Sequence, residues 1–212
     1  MSVSGAENLD IISYMKKPTQ IKLTVSDEQS LKLLDLQKTF AMACDEAALF
    51  VNRYRSWHRV TLHHLAYKTI REKFPKLGSQ LVCNAIHAVS KASKEIFQNP
   101  TSQWSEIAKA GKPLPILKFS EAMPVFFDRH TLTLKNSELS IYTLDGRMNI
   151  QINLSDGIGK KLKSEKIKEL SMYKLKNSFY LRFVFDEENR NPTAIKSSVK
   201  VIHEKNLEST LK

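Results

Sequence analysis

Two clusters of basic side chains are the residues whose types best suit them to chemistry, and that chemistry is contact with a polyanion. The first cluster lies between Arg53 and Lys76, where Glu72 is the only acid. A guanidinium group pairs with phosphate through two parallel hydrogen bonds, so we expect this cluster to contact a nucleic-acid backbone. A solvated helix face is the alternative. The residues concerned are Arg53, Arg55, Arg59, Lys68, Arg71, Lys73 and Lys76.

Aromatic side chains are interleaved with this first cluster. Tyr54 follows Arg53 directly, Trp57 and His58 come three and four residues after Tyr54, and Tyr67 lies further along. Nucleobases stack on aromatic rings, so Tyr54 and Trp57 are candidate stacking residues. The alternative, in which these rings point into the core, remains open.

The second cluster is rich in lysine and precedes a predicted strand. Glu165 and Glu169 offset it in part. A lysine-rich loop of this kind suits the backbone of a structured RNA, and a solvated linker is the alternative. Its members are Lys160, Lys161, Lys163, Lys166, Lys168, Lys174 and Lys176, of which we take the first three as candidate backbone contacts.

The sequence offers no recognisable catalytic or metal-binding pattern. It has no Ser/His/Asp arrangement and no Gly-rich phosphate loop, and its six histidines lack metal-ligand spacing with the two cysteines. Cys44 and Cys83 fall in apolar helical patterns, which is typical of buried thiols. We therefore nominate no catalytic residue, no metal ligand and no cofactor. The segment 156–159 (Asp-Gly-Ile-Gly) is predicted to be a turn.

Composition agrees with a polyanionic partner. The chain has 212 residues, with 33 Lys and Arg against 22 Asp and Glu, and a formal net charge of +11. Such a charge attracts nucleic acid but says little about fold. The first ten residues lack the apolar stretch of a signal peptide, and no apolar run approaches the roughly 20 residues of a membrane span. We expect a cytoplasmic protein without a disulfide framework or a membrane partner.

Helical patterns occupy the first half of the chain. Residues 20–25 alternate polar and apolar, which predicts a strand. Ser26 and Gln29 form an S-x-x-Q capping box that opens a long helix, whose apolar stripe we begin at Leu31. Thr61 is the predicted cap of a second helix, and Ser79 starts a third that fades near Gln98. Three such helices predict a small bundle.

Short β-like runs fill the second half of the chain, from residue 111. The Asp145-Gly146 pair predicts a hairpin, and the segments 135–137 and 176–178 predict two further turns. The expected fold class is α+β: an antiparallel β-barrel with an inserted three-helix bundle. The expected divisions are a flexible N-terminus (1–19), a first barrel strand (20–25), a helical insertion (26–110), the rest of the barrel (111–186) and a polar tail (187–212).

Five sequence words, in order and at compatible spacings over about residues 20–186, resemble the N-terminal half of TnpB/Cas12-type RNA-guided nucleases. They lie in segments that resemble the family's first strand and Gln-containing helix, its L-x-x-x-x-Y-x-x-I-R-x-x-F and L-x-x-Q-x-x-x-x-A-I-x-x-V stretches, its L-S-I-x-T-L-x-G-R segment and its final hairpin. The segments are 22–47, 62–74, 77–91, 127–147 and 177–181.

The resemblance implies wedge and recognition domains, the barrel and the bundle respectively, which hold a structured guide RNA and duplex DNA. Base pairing by the RNA supplies most of the sequence information in such systems. In the family a RuvC domain follows, with three acidic ligands for two Mg²⁺ ions, and then a four-cysteine zinc ribbon. This chain ends near the point where the RuvC domain would start. We therefore expect no nuclease activity from the chain alone, no Mg²⁺ without a nuclease partner, and a place at the prokaryotic nucleoid.

In relatives, a glutamine of the third helix and a preceding lysine face the short DNA motif beside the target. The matching residues are Gln80 and Lys76, and Asn84 lies one turn further on. Gln can bond adenine through two hydrogen bonds, and Lys can reach guanine. The alternative is that Gln80 only caps its helix.

Three functions stay open. The first is an RNA-guided DNA-binding module, working alone or with a separately encoded RuvC half. The second is a truncated transposon remnant or a protein-interaction regulator of full-length relatives. An exposed apolar patch would favour the second function or the split enzyme. A simple basic DNA-binding protein without RNA is the third, and no helix-turn-helix pattern supports it.

Overall fold

The computed structural model describes residues 19–135, 137–185 and 199–202. The predicted flexible N-terminus therefore lies outside the described residues, except for Thr19. The same holds for Asn136 in one predicted turn and for most of the predicted tail. Within the described ranges the fold is α+β, with five helices and several antiparallel sheets.

The first strand and first helix follow the predicted start signals. Strand β1 is Thr19–Leu23 and helix α1 is Asp27–Tyr54. The Gln29 backbone N–H donates to Ser26 Oγ at 3.2 Å, and the Ser26 N–H donates to Gln29 Oε1 at 3.0 Å. The capping box is confirmed, and it satisfies two backbone donors that would otherwise lack partners at the helix start.

The buried stripe of α1 begins two residues later than predicted. Leu31 is 63% exposed, whereas Leu33 and Leu36 are fully buried. Leu33, Leu36 and Phe40 share one face with Cys44, Ala47 and Val51 at helical spacing, and that face excludes Leu31.

Three further helices complete the first half. Helix α2 is Arg59–Lys73, α3 is Ser79–Phe97 and α4 is Gln103–Lys109. The prediction of Thr61 as the α2 cap is wrong, because the helix already begins at Arg59. His58 occupies the cap position without a side-chain bond to the helix.

The strands pair into three antiparallel sheets. Strand β1 joins the order β1-β8-β7-β3, β4-β5-β6 forms a second sheet, and β2 pairs with β9. The bounds are β2 Ile116–Phe119, β3 Val125–Phe127, β4 Leu132–Lys135, β5 Glu138–Thr143, β6 Gly146–Gln151, β7 Ile167–Leu175, β8 Ser178–Phe185 and β9 Val199–Ile202. Among the strands described, no sheet closes on itself into a barrel.

In the sequence, helices α1 to α4 come after β1 and before β8, and these two strands pair with each other. Leu23 faces Phe179 and Ile21 faces Leu181 across the β1–β8 ladder.

The predicted Asp145-Gly146 hairpin joins β5 to β6, and Gly146 has a φ of 101°, which favours glycine.

Two elements differ from the sequence expectation. The predicted 156–159 turn and the lysine-rich loop after it form helix α5, Asp156–Ser164. Gly157 and Gly159 lower helix propensity, but Ile158 and Leu162, one turn apart, pack against the core and hold the helix. Strand β9 lies in the predicted tail and pairs with β2 from Ile116–Ile202 to Phe119–Val199.

Helices and sheets bury their apolar residues in one contiguous cluster. It joins Leu33 and Phe40 of α1, Ile86 of α3, Ile141 of β5 and Phe183 of β8. Gln37 is fully buried in α1, and its Nε2 donates to the Met123 carbonyl at 2.8 Å, which fixes the helix against the chain leading into β3.

Candidate nucleic-acid interface

One face of α3 forms a wall of an open cleft. Gln80, Asn84, His87 and Lys91 recur at helical spacing, so their side chains share that face. The opposite wall consists of 126–128 at the end of β3 and 168–170 in β7, and Arg59 at the start of α2 lies at the edge. The cleft has a volume of about 250 Å³. It brings Gln80, Asn84 and Arg59 together, as three separately predicted contact residues.

Asn84 fixes α3 to the sheet. Its Nδ2 donates to the Phe126 carbonyl at 3.0 Å. Only the amide nitrogen can bond a carbonyl, so the Oδ1 acceptor is left for the cleft. Gln80, half-buried in the first turn of α3, donates no hydrogen bond to any residue in the described ranges, and the cap position belongs to Gly78.

An ion pair crosses the cleft from α3 to β7. Lys91 Nζ lies 2.5 Å from Glu169 Oε2, and both side chains are partly exposed. Asp128, at the other end of the opposite wall, is used within its own turn. Its Oδ1 accepts from the His130 N–H at 2.9 Å and the Thr131 hydroxyl at 3.0 Å. Both acids of the cleft are therefore engaged by the protein itself.

His87 is the titratable group in the middle of the α3 face. Loss of solvent to the surrounding walls lowers its pKa, and the positive charges of Arg59 and Lys91 lower the pKa further. Glu169 opposes this shift. The pKa of His87 therefore lies below the ordinary value of a histidine, although the residue itself is exposed.

The sequence pattern missed His87, Lys91 and Glu169 as site residues. His87 and Lys91 stand seven and eleven residues after Gln80, and this spacing could have shown that they share its face. Glu169 and Lys168 reach the cleft only through the pairing of β7 with β3, for which the sequence carries no local signal.

The first basic cluster divides into exposed and structural members. Arg53, Arg59 and Lys68 are exposed. Three of the other four bind the protein. Arg55 donates to the carbonyls of Lys112 and of Ala108 (2.9 Å), Arg71 donates to the Leu77 carbonyl, and Lys73 pairs with Glu46. Within the described residues, Arg53, Arg59 and Lys68 therefore present unengaged cations to a phosphate, whereas Arg55 and Lys73 are exposed but engaged.

Lys76 lies in the loop between α2 and α3. Its Nζ is 3.8 Å from Asp145 Oδ1 in the β5–β6 turn, and both side chains are mostly exposed. Exposed ion pairs contribute about 0–1 kcal/mol, so this contact leaves Lys76 able to bind a phosphate or a base.

The two candidate stacking residues differ in exposure. Tyr54 is 49% exposed and stacks on Phe50, with ring centroids 6.0 Å apart. Trp57 is half-buried, and its ring lies 5.5 Å from that of Phe97 within the core. Tyr54 therefore offers a free ring face, and Trp57 packs the end of α3.

Helix α5 carries the candidate lysines of the second cluster. Lys160 and Lys163 are exposed. Lys161 is half-buried, with its Nζ 4.4 Å from the Phe185 ring centroid and 3.3 Å from Thr19 Oγ1. Lys161 thus packs α5 onto the β1–β8 sheet, and the other two lysines face solvent.

Neither cysteine is a reactive thiolate. Burial raises the pKa of Cys44 well above its ordinary value, and its Sγ donates to the Ala85 carbonyl at 3.7 Å. Partial burial also raises the pKa of Cys83, whose Sγ lies 3.6 Å from His63 Nε2. Both thiols stay protonated at neutral pH.

Over the ranges that the structure covers, no group of three or more His, Cys, Asp or Glu side chains could hold a metal ion. Among those same residues, no helix combines the length and apolarity needed to cross a bilayer. No protein-family model matches the chain, and it matches no curated protein.

Proposed function

We propose that this chain is an RNA-guided DNA-binding module, similar to the N-terminal half of TnpB-type nucleases. It holds the scaffold of a structured guide RNA and recognises a short motif in duplex DNA. In this proposal the antiparallel sheets form a barrel-like wedge with the helices inserted as a recognition domain. Strand cleavage, with its Mg²⁺, belongs to a separately encoded RuvC half, and the assembly works at the nucleoid in a prokaryotic cytoplasm.

The observation that carries the proposal is the α3 face. Gln80, Asn84, His87 and Lys91 stand in one row along the cleft, with Arg59 at its edge. Amide side chains that retain hydrogen-bonding capacity suit base edges, and flanking cations suit phosphates.

The exposed cations add to this support. Arg53 and Lys68 lie on α1 and α2, and Lys160 and Lys163 lie on α5. With a net charge of +11, they favour association with a long polyanion that contacts several faces at once.

The first experiment is purification of the tagged chain from its native host at moderate salt, followed by sequencing of the bound RNA. We expect a single enriched structured RNA. The double variant Arg53→Glu/Lys68→Glu should lose it, because each reversal replaces an attractive charge with a repulsive one. Both residues are exposed, so the fold should tolerate the changes.

The matched control is Lys109→Glu/Lys135→Glu, which changes the net charge equally at exposed lysines outside both clusters. It should retain the RNA. An RNA pool without an enriched species, or equal loss from both double variants, contradicts guide binding and leaves only non-specific charge attraction.

One observation favours the protein-interaction alternative. Leu31, Met42 and Leu49 are 63%, 53% and 44% exposed on α1, and their spacing of eleven and seven residues places them on one face. The exposed charged residues Asp35 and Lys38 lie on the same face, so these are three separate apolar positions, which suit contact with another protein, either a RuvC half or a full-length relative. If the host purification yields a full-length relative and no enriched RNA, this function replaces the first.

A further inference from the structure

We propose that the cleft between α3 and the β3–β7 wall is a pocket for one unstacked nucleotide, with a preference for adenine or cytosine, whose amino group takes the place of the keto oxygen of guanine or uracil. The inference rests on the proposed function and deepens it, since it assigns to one nucleotide of the bound nucleic acid a place outside its stack. The pocket binds the base along Gln80 and Asn84 and the phosphate near Arg59.

Size limits the ligand. Pockets for drug-sized molecules measure about 300–1,000 Å³. At about 250 Å³, the cleft is too small for a run of stacked bases and suits a single base with its sugar outside. Its apolar lining comes from Ala88, Phe126, Phe127 and Leu170. The aromatic residues of the cleft are His87, Phe126 and Phe127, and an imidazole ring can stack on a base.

Hydrogen-bonding capacity selects the base. The Asn84 amide nitrogen donates to the Phe126 carbonyl, and this bond fixes the orientation of the side-chain amide. Asn84 therefore presents its Oδ1 acceptor to the cleft. An exocyclic amino group, as in adenine or cytosine, can donate one hydrogen to Asn84 Oδ1 and the other to Gln80. A keto oxygen at the same place, as in guanine or uracil, would face the Asn84 oxygen without a hydrogen between them.

Charge selects the phosphate. Arg59 donates no hydrogen bond to any residue that the structure describes, whereas Lys91 is paired with Glu169 at 2.5 Å. The charged groups around the cleft are Arg59 on α2, Lys91 on α3, Lys168 and Glu169 on β7, and Asp128 after β3. Three cations against two acids leave one positive charge, and Arg59 is the cation whose partner is missing.

The test is a titration of the isotopically labelled full chain with AMP, CMP, GMP and UMP, followed by backbone amide NMR. We expect AMP and CMP to shift signals of 80–91 and 126–128, and to bind several-fold more tightly than GMP and UMP. Gln80→Ala should weaken AMP binding about tenfold, which is the size of a single good base contact. The matched control Gln103→Ala, an exposed glutamine in the first turn of α4, should leave it unchanged.

His87 supplies a second readout. A phosphate bound near Arg59 and Lys91 cancels their effect on the imidazole, so saturation with AMP should move the His87 titration to higher pH. The other charged groups that face the cleft are Glu169, Asp128 and Lys168. A residue with a purely structural role would not show this shift.

Other outcomes separate the possibilities. Tighter binding of AMP than of dAMP identifies RNA as the source of the nucleotide, and equal binding means that either nucleic acid can supply it. Shifts produced equally by inorganic phosphate, or AMP shifts that avoid 80–91, overturn the pocket. If the chain still enriches one RNA but no nucleotide shifts the amide signals of the cleft residues, only this inference fails. If both are negative, the proposed function fails as well.

Discussion

The arginines of the first basic cluster have different roles, although their sequence contexts are similar. Arg55 and Arg71 stand in the same basic run as Arg53 and Arg59, yet their guanidinium groups hold backbone carbonyls at helix ends. Arg55 itself has a φ of 51° at the end of α1, and Arg71 lies in the last turn of α2. Arg53 also lies in the last turn of α1 and makes no such bond within the described residues, so the tertiary fold, and not the position within a helix, separates the two roles.

Arg71→Ala should therefore cost stability even without nucleic acid. Its guanidinium bonds the Leu77 carbonyl in the loop that leads into α3, and hydrogen bonds from charged groups contribute about 1.5–3 kcal/mol. We expect the free energy of unfolding in urea to fall by that amount.

Lys68→Ala, one helical turn earlier and exposed, is the comparison variant and should change stability by less than about 0.5 kcal/mol. If the two substitutions lowered the free energy of unfolding equally, Arg71 would have no special structural role and would again be a candidate for binding phosphate.

At the scale of elements, the start of α3 lies close to β5 of the β5–β6 hairpin. A Cβ added to Gly78 would lie 2.8 Å from Cε1 of Tyr142 on β5. Gly78 has a φ of −53°, so the backbone itself would accept alanine. Close approach, not conformation, requires glycine at this position.

Gly78→Ala should lower the free energy of unfolding by about 1 kcal/mol, at the low end of overpacking costs, because the Tyr142 ring is 36% exposed and can move. In the Tyr142→Ala background the same substitution should cost little. The urea-unfolding free energies of the four proteins give the coupling between the two sites.

Gly157→Ala in α5 serves as the matched control, since an added Cβ there meets nothing within 4 Å. It should be neutral or stabilising, by up to about 1 kcal/mol, because alanine favours helix. Additive effects of Gly78→Ala and Tyr142→Ala would contradict a direct clash.

Elements with strong local signals were predictable, and those that depend on distant partners were not. The capping box of Ser26 and the Asp145-Gly146 hairpin are specified by residues that lie close together in the sequence, and both are confirmed. Helix α5 contains two glycines and is held by packing, so its segment looked like a turn. Strand β9 has a clear partner only once β2 is placed beside it.

The candidate site follows the same division. Gln80 and Asn84 could be placed on one face from their spacing, because a helix has a fixed period. Which acceptors and cations face them across the cleft depends on β3 and β7, and on the Phe126 carbonyl that Asn84 binds. No local sequence pattern specifies that opposite wall.

At the scale of the whole molecule, the helices and sheets share one core. Gln37 reaches from α1 to the Met123 carbonyl, and Gln29 Nε2 donates to the Asn149 carbonyl of β6 at 3.0 Å. Asp45 accepts from the Phe119 N–H at 2.7 Å and pairs with Lys118 on β2. These contacts tie α1 to three different parts of the β region.

A fragment of residues 24–112 should therefore unfold at a lower urea concentration than the full chain, with a broader transition. It would expose the buried side of α1 that faces the strands, and it would leave Gln37 and Asp45 without their partners. Circular dichroism of both proteins measures the comparison. A fragment with the midpoint of the full chain would mean that the helical segment has a self-sufficient core.

Because β1 pairs with β8, the two strands of this ladder are synthesised far apart in time. A ribosome delivers Ile21 long before Leu181, its partner across the ladder. Domains fold during synthesis as their residues emerge, at about 5–20 residues per second, so the helices have seconds to assemble while β1 still lacks a neighbour. Until β8 is synthesised, β1 is an unpaired edge, and the lysine within it, Lys22, discourages pairing with another nascent chain.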